Sequence, residues 1–347
     1  MMKNKVLELS SVSKHYYRGL FRKIIVRAVN EVNLSINRGE IRSIVGESGS
    51  GKTTVGKISS GLIMPTSGSV KWLDQIVIKD GEIVNDKFFR QNRHRFVYIH
   101  QDPYSALNPS MNVYTTLDVV IKKHYPHMSA SDRYDYIKRL LEKVGLSPPS
   151  YFLNKYPHHL SGGMKQRLVI ARTLAVEPYL IVADEVVSMV DPSIRVAIIN
   201  LLKEISEEYK TSIIFISHDL GAALYAAGDD GYVYVMLKGY IVEAGKVSKV
   251  MYDPKHPYTR ALIANIPAVI RFDSGKRVRP PELVRIYDSE SRIIRSICPF
   301  ADLCPYADEE CVSLKTLDYK EVSNDHLSLC VKSEKLPQWR PSWLKNI

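Results

Sequence analysis

The sequence has no apolar run approaching the roughly 20 residues that a membrane-spanning helix needs. Its start, Met1 to Lys5 followed by Val6-Leu7-Glu8-Leu9, lacks the long apolar core of a signal peptide. A soluble, intracellular chain is the expectation. There is no internal repeat and no low-complexity tract, and the composition excludes disorder and collagen. Cysteine is scarce: four residues in 347 are too few for a disulfide-dense secreted scaffold, yet all four lie at or beyond position 298. What is present is ordinary for a globular protein, 45% hydrophobic and 24% charged. The length suits roughly two domains at about 150 residues each. A net charge of +11 favours an anionic partner: nucleic acid, a phosphorylated ligand or an acidic membrane face.

Residues 5 to 45 alternate as strands do, with Val6, Leu7 and Leu9, then Ala28 to Ile36, then Ile41 to Val45. This predicts a small antiparallel sheet feeding a buried strand, with the basic segment Arg18 to Lys23 as a solvated hairpin loop. Buried-strand candidates recur at 97–99, 179–183 and 212–216, and helical spacing fills the intervals, as from Ile194 to Tyr209. Strands alternating with helices predict a parallel α/β sheet. The stretch from about 110 to 160 has only helical spacing and reads as a helical insertion. Past about 265, prolines and cysteines replace the rhythm, and we place a domain boundary there, between residues 1–265 and 266–347.

After the strand Ile41 to Val45 comes Gly46-Glu47-Ser48-Gly49-Ser50-Gly51-Lys52-Thr53-Thr54, the full phosphate-loop pattern in its strand-to-helix setting. Its glycines let backbone N–H groups converge on phosphate at a helix N-terminus. Lys52 is expected to reach the β and γ phosphates, and the Thr53 hydroxyl to hold Mg²⁺. Four apolar residues, Leu180 to Ala183, then run into Asp184-Glu185 and put two carboxylates at the C-terminal end of a buried strand, where α/β sheets bind ligands. Asp184 suits Mg²⁺, and Glu185 suits polarisation of the attacking water.

At Leu160-Ser161-Gly162-Gly163-Met164-Lys165-Gln166-Arg167 the sequence resembles the signature of ABC ATPases. The family's other elements appear in order. Gln101 resembles the Q-loop glutamine, Ser188 to Asp191 the D-loop, and His218 the switch histidine; Tyr16, with Tyr17 as the alternative, stands where an aromatic stacks on adenine. The resemblance implies a P-loop NTPase core of RecA-like type with an antiparallel β subdomain, a helical insertion and a small C-terminal tail. It also implies ATP and Mg²⁺ as ligands, Gln101 as a sensor of Mg²⁺ and of the transmembrane partner, and His218 as a γ-phosphate contact. In the family Ser161, Gly162 and Gly163 face the nucleotide of the opposite subunit, so a dimer sandwiching two ATP molecules is implied, and Asp191 is expected among the nucleotide-binding residues.

Gln101-Asp102-Pro103-Tyr104-Ser105-Ala106-Leu107-Asn108-Pro109 and Asp253-Pro254-Lys255-His256-Pro257-Tyr258-Thr259-Arg260-Ala261-Leu262 look like the branch of oligopeptide and dipeptide importer ATPases. That branch implies a peripheral subunit on the cytoplasmic face of the membrane. It works with a second ATPase, a heterodimer being favoured over a homodimer, with two permeases and, indirectly, with an extracellular binding protein. Oligosaccharide and nickel importers of the same family are the alternative. Two departures stand out: Val186 replaces the usual proline after the acidic pair, and Met189-Val190 the usual Ala-Leu of the D-loop. Neither removes a functional group.

The cysteine spacing, Cys298-x5-Cys304-x6-Cys311-x18-Cys330, contains none of the close pairs of structural zinc sites. It resembles the importer-ATPase tail in which four cysteines hold a 4Fe-4S cluster, and a structural cluster is the expectation. Zinc, two disulfides or unliganded core cysteines are the alternatives. A soluble ABC ATPase acting on DNA or ribosomes, or a P-loop kinase, would be a different class. Repair-type coiled-coil insertions and a second cassette are absent, and a kinase has no use for the signature. Residues 267–347 carry only +1, so the basic excess sits in the ATPase portion. ATP and the inner membrane face are therefore expected anions rather than nucleic acid.

Overall fold

The computed structural model describes residues 4–18, 24–265 and 297–339. An antiparallel sheet forms first. Long strands β1 (Lys5–Arg18) and β2 (Ile24–Asn37) pair along their length, and β4 (Ser67–Trp72), β5 (Gln75–Lys79) and β6 (Glu82–Ile83) extend it in the order β2-β1-β4-β5-β6. The loop expected at 18–23 falls, apart from Arg18, outside the described residues. Between β2 and β4 the chain makes β3 (Ile41–Val45) and helix α1 (Lys52–Ser59).

Strand β3 belongs to a second sheet with β7 (Phe96–Ile99), β8 (Leu180–Asp184), β9 (Ser212–Ser217), β10 (Tyr232–Leu237) and β11 (Tyr240–Lys246). Two tail strands, β12 (Lys320–Ser323) and β13 (His326–Ser328), complete the order β12-β13-β11-β10-β3-β9-β8-β7. The five strands from β10 to β7 are mutually parallel, so their C-terminal ends share one edge. Both faces of this sheet are covered, which explains the unbroken apolar runs. Ile214, Ile216 and Val182 face a core that includes Val55 and Ile58 of α1, whereas Ile213, Phe215 and Ile181 face a larger core on the other side.

That larger core holds the helical insertion. After α2 (Asp86–Asn92) and α3 (Pro103–Ala106) come α4 (Val113–His124), α5 (Ala130–Lys143) and α6 (Pro149–Phe152), with no strand among them, as the spacing predicts. Helices α7 (Gly162–Leu174) and α8 (Pro192–Tyr209) flank β8, and α9 (Leu220–Ala227) follows β9. Helices α10 (Val247–Tyr252) and α11 (Pro257–Ala264) close the first segment; α12 (Glu309–Val312) lies in the tail. Among the described residues no helix is long and apolar enough to cross a membrane.

Candidate active site

The shared C-terminal edge of β3, β7, β8 and β9 assembles the site. The loop 46–51 bends where only glycine fits. A Cβ on Gly46 would stand 2.1 Å from the Met236 carbonyl, and one on Gly51 (φ +105°) 2.3 Å from that of Ala28. Ser48 and Gly49 are exposed and Ser50 is buried. Lys52 is buried and folds back on the loop, donating to Gly46 O (2.7 Å), Glu47 O (2.8 Å) and Ser50 Oγ (3.4 Å). Burial lowers its pKa, and the charges of Glu185, Asp184 and Glu47 oppose that shift. Thr53 and Thr54 open α1 beside it.

Asp184 ends β8. Its Oδ2 accepts from Thr53 Oγ1 at 2.8 Å and from the Tyr98 hydroxyl, while Oδ1 is buried with no hydrogen-bond partner. An orphaned carboxylate oxygen next to the Thr53 hydroxyl is the donor set that Mg²⁺ accepts, hard oxygen ligands of which one is anionic. The residues present therefore fit the ion. Burial, reinforced by Asp184, raises the pKa of Tyr98 and keeps it a donor. Glu185 takes a left-handed backbone (φ 54°), an uncommon conformation for a side chain with a Cβ. Its carboxylate oxygens lie 2.8 and 2.6 Å from Nδ1 of His218, which follows β9. Gln101, past the end of β7, donates to Ser188 Oγ at 3.4 Å, and Ser188 Oγ donates to the Glu185 carbonyl at 2.8 Å. Gln101, Ser188, Glu185 and His218 thus form one connected set.

Five expected residues stand elsewhere. Ser161 caps α7, its Oγ accepting from Met164 N at 3.3 Å, with Gly162 and Gly163 as the first helical residues. A Cβ on Gly163 would come within 2.8 Å of Ile194, so glycine lets α7 approach α8 closely. Asp191 sits at the N-cap of α8. Tyr16 is on β1, 42% exposed, with Lys14 Nζ 5.4 Å from its ring centroid. Val186, in the proline's usual place, packs into the core, while Met189 is exposed.

The cysteine expectation fails. Among the described residues no group of three or more His, Cys, Asp or Glu side chains is disposed to hold a metal ion, so neither a 4Fe-4S cluster nor zinc fits. None of the four cysteines forms a disulfide, and all four line a cavity of about 20 Å³, room for about one water. Burial raises Cys304 to about 11 and Cys330 to about 12 and raises Cys298 as well.

A family model described as ABC transporter matches residues 29–188, and one for the C-terminal region of oligopeptide/dipeptide transporters matches residues 242–311. The oligopeptide transport ATP-binding protein OppF of Haemophilus influenzae is 36% identical over 88% of this chain and 89% of its own. The chain belongs to the ABC transporter ATPases. Its ABC cassette is similar to further relatives. The di/tripeptide transport ATP-binding protein DppF of Pseudomonas aeruginosa is 34% identical over 92% of this chain and 97% of its own. A dimeric ATP-binding cassette solved with ADP and Pi has a TM-score of 0.59 at 30% identity, covering 70% of this chain and 98% of that one. The cassette cbiO1 from Clostridium perfringens, part of an ABC transporter complex, has a TM-score of 0.60 at 26% identity, covering 71% and 90%.

Tyr98 and the Glu243-His326 pair are not legible as site residues in the sequence. The only signal for Tyr98 is a tyrosine inside a strand whose C-terminal end leads to Gln101.

Proposed function

We propose that this chain is the ATP-hydrolysing subunit of a binding-protein-dependent importer of oligopeptides or dipeptides. The observation that carries the ATPase chemistry is the Glu185 carboxylate, held by backbone geometry and by His218 at the strand edge that also bears Lys52 and Asp184. Loop N–H groups and Lys52 bind the phosphates of ATP. Thr53, Asp184 and Gln101 would hold Mg²⁺, which when bound offsets phosphate charge. Glu185 orients and polarises the attacking water, a role worth roughly 10²- to 10⁴-fold in rate, and His218 holds its carboxylate in place until the γ-phosphate arrives. Tyr16 stacks on adenine.

Ser161, Gly162 and Gly163 offer a second anion-binding helix start, directed to the nucleotide of a partner ATPase, with Asp191 at that interface. Closure then requires ATP at the seam and reverses on hydrolysis. The ATPase partner is a second, different chain, and two permeases and an external binding protein complete the importer, with this subunit peripheral on the cytoplasmic side. Support for a peptide cargo comes from the matching C-terminal region and the names of the relatives. Glu185→Gln should keep ATP binding, accumulate an ATP-bound dimer by size-exclusion chromatography, and lose at least 100-fold in hydrolysis. Unchanged hydrolysis removes Glu185 from its role. Import of a sugar rather than labelled peptide by the reconstituted complex would redirect the cargo.

A further inference from the structure

The phosphate loop has a tether that comes from the far end of the chain. The Gly46–Glu47 peptide is held on both sides: its carbonyl accepts from Lys52 Nζ at 2.7 Å, and its N–H donates to the hydroxyl of Tyr258 at 3.1 Å. Tyr258 lies on α11, is 2% exposed, and meets the ring of Phe300 at 5.5 Å and 62°. Phe300 is also buried and forms a wall of the thiol-lined cavity of the tail.

The start of α11 is itself fixed from the tail. Fully buried Glu243 accepts from the backbone N–H of Lys255 (2.7 Å) and His256 (2.9 Å), and its Oε1 lies 2.7 Å from His326 Nε2 on β13. The His256 ring in turn accepts from Tyr258 N at 3.1 Å. Arg260 donates to Pro254 O at 2.9 Å and to Pro337 O at 3.1 Å, so the tail meets this helix at Pro337 as well as at Phe300.

We propose that Tyr258 is a positioning residue of the ATP site and that the C-terminal extension sets ATP affinity through it. The proposal rests on the ATPase reading above. When the Lys52 ammonium turns from the Gly46 carbonyl to phosphate, the Tyr258 hydroxyl is the contact that keeps this peptide, and with it the turn of the loop, in place. A loop ordered in advance loses less freedom on binding, which favours affinity. Because the hydroxyl touches backbone and not the reacting atoms, its loss weakens binding and spares the chemical step.

The test uses the full chain. Tyr258→Phe keeps the ring against Phe300 and removes the hydroxyl, while Phe300→Leu keeps apolar volume and removes the ring contact. A fluorescent ATP analogue gives Kd, steady-state hydrolysis gives KM and kcat, and thermal unfolding reports folding. Tyr258→Phe is expected to raise Kd and KM roughly three- to tenfold, the range of one net hydrogen bond, with kcat within about twofold of wild type. Phe300→Leu should shift the same constants in the same direction by less. An unchanged Kd and KM in Tyr258→Phe overturns the proposal. So does a fall in kcat that tracks a lowered unfolding midpoint with KM unchanged, which marks a structural role alone. A wild-type chain that binds no ATP overturns the ATPase reading itself, a result distinct from either.

Discussion

Asp184 commits one oxygen and leaves the other open, and the residues around it decide which. Thr53 and Tyr98 both donate to Oδ2, which leaves Oδ1 buried without a partner. Thr53 was legible because it follows the loop lysine; Tyr98 was not, since nothing in Val97-Tyr98-Ile99 announces a polar task. Tyr98→Phe should free the carboxylate to rotate and raise the Mg²⁺ concentration for half-maximal ATPase roughly three- to tenfold, measured by magnesium titration at saturating ATP. His256 offers a second residue-level expectation. It is buried, and desolvation with the nearby Arg260 charge lowers its pKa to about 3. The folded chain therefore holds it neutral while the unfolded chain protonates it near the ordinary value of about 6.5. Between those values the unfolded state binds more protons, so this group's contribution to stability is full above pH 6.5 and falls as pH drops toward 3. Urea unfolding from pH 7.5 to 5 should lose stability at up to about 1.4 kcal/mol per pH unit from this group, and His256→Gln should flatten that slope.

Elements that announce themselves do so because their surroundings are apolar on both sides. Strands β3, β8 and β9 read as continuous hydrophobic runs because their alternate residues fill two different cores, and the helical spacing of α5 and α8 is the imprint of one buried face. Strand β11 is the exception. Glu243 sits fully buried in the middle of β11, and a charged residue there breaks the pattern that burial otherwise writes. Its concealment depends on partners far along the chain, which local periodicity does not carry. The signature helix shows the opposite case, an element whose start is fixed by chemistry rather than packing. Ser161 caps α7 and Gly163 admits Ile194, so the same residues that begin the helix leave its first N–H groups available to an anion. Ser161→Ala should destabilise the fold by about 1 kcal/mol, read by thermal unfolding. In a Glu185→Gln background it should also abolish the ATP-dependent dimer while leaving nucleotide binding to the isolated chain in place. A dimer that persists at wild-type strength would remove Ser161 from the interface.

At the scale of the whole molecule the tail is part of the sheet. The sequence places a change of rhythm near residue 265, and the strands beyond it are short and polar, Lys320-Glu321-Val322-Ser323 and His326-Leu327-Ser328. Nothing in such residues predicts a strand, because their order comes from pairing with β11 and not from a pattern of their own. Once paired, β13 covers the edge of β11 and brings His326 to Glu243 in the interior, while short, charged β12 becomes the exposed edge. Among the described residues the cysteines form neither a disulfide nor a metal-holding group, so buried contacts attach the tail. His326→Leu tests that attachment. It keeps side-chain volume but leaves a fully buried carboxyl group with the backbone donors of Lys255 and His256 alone, which should lower stability by about 1–3 kcal/mol. Urea unfolding reads the loss, and unfolding should remain a single transition because tail and cassette share one sheet. A separate early transition for the tail, with the cassette midpoint unmoved, would show that β12 and β13 lean on the ATPase without being built into it, and would also remove the route by which the tail reaches Tyr258 and the phosphate loop.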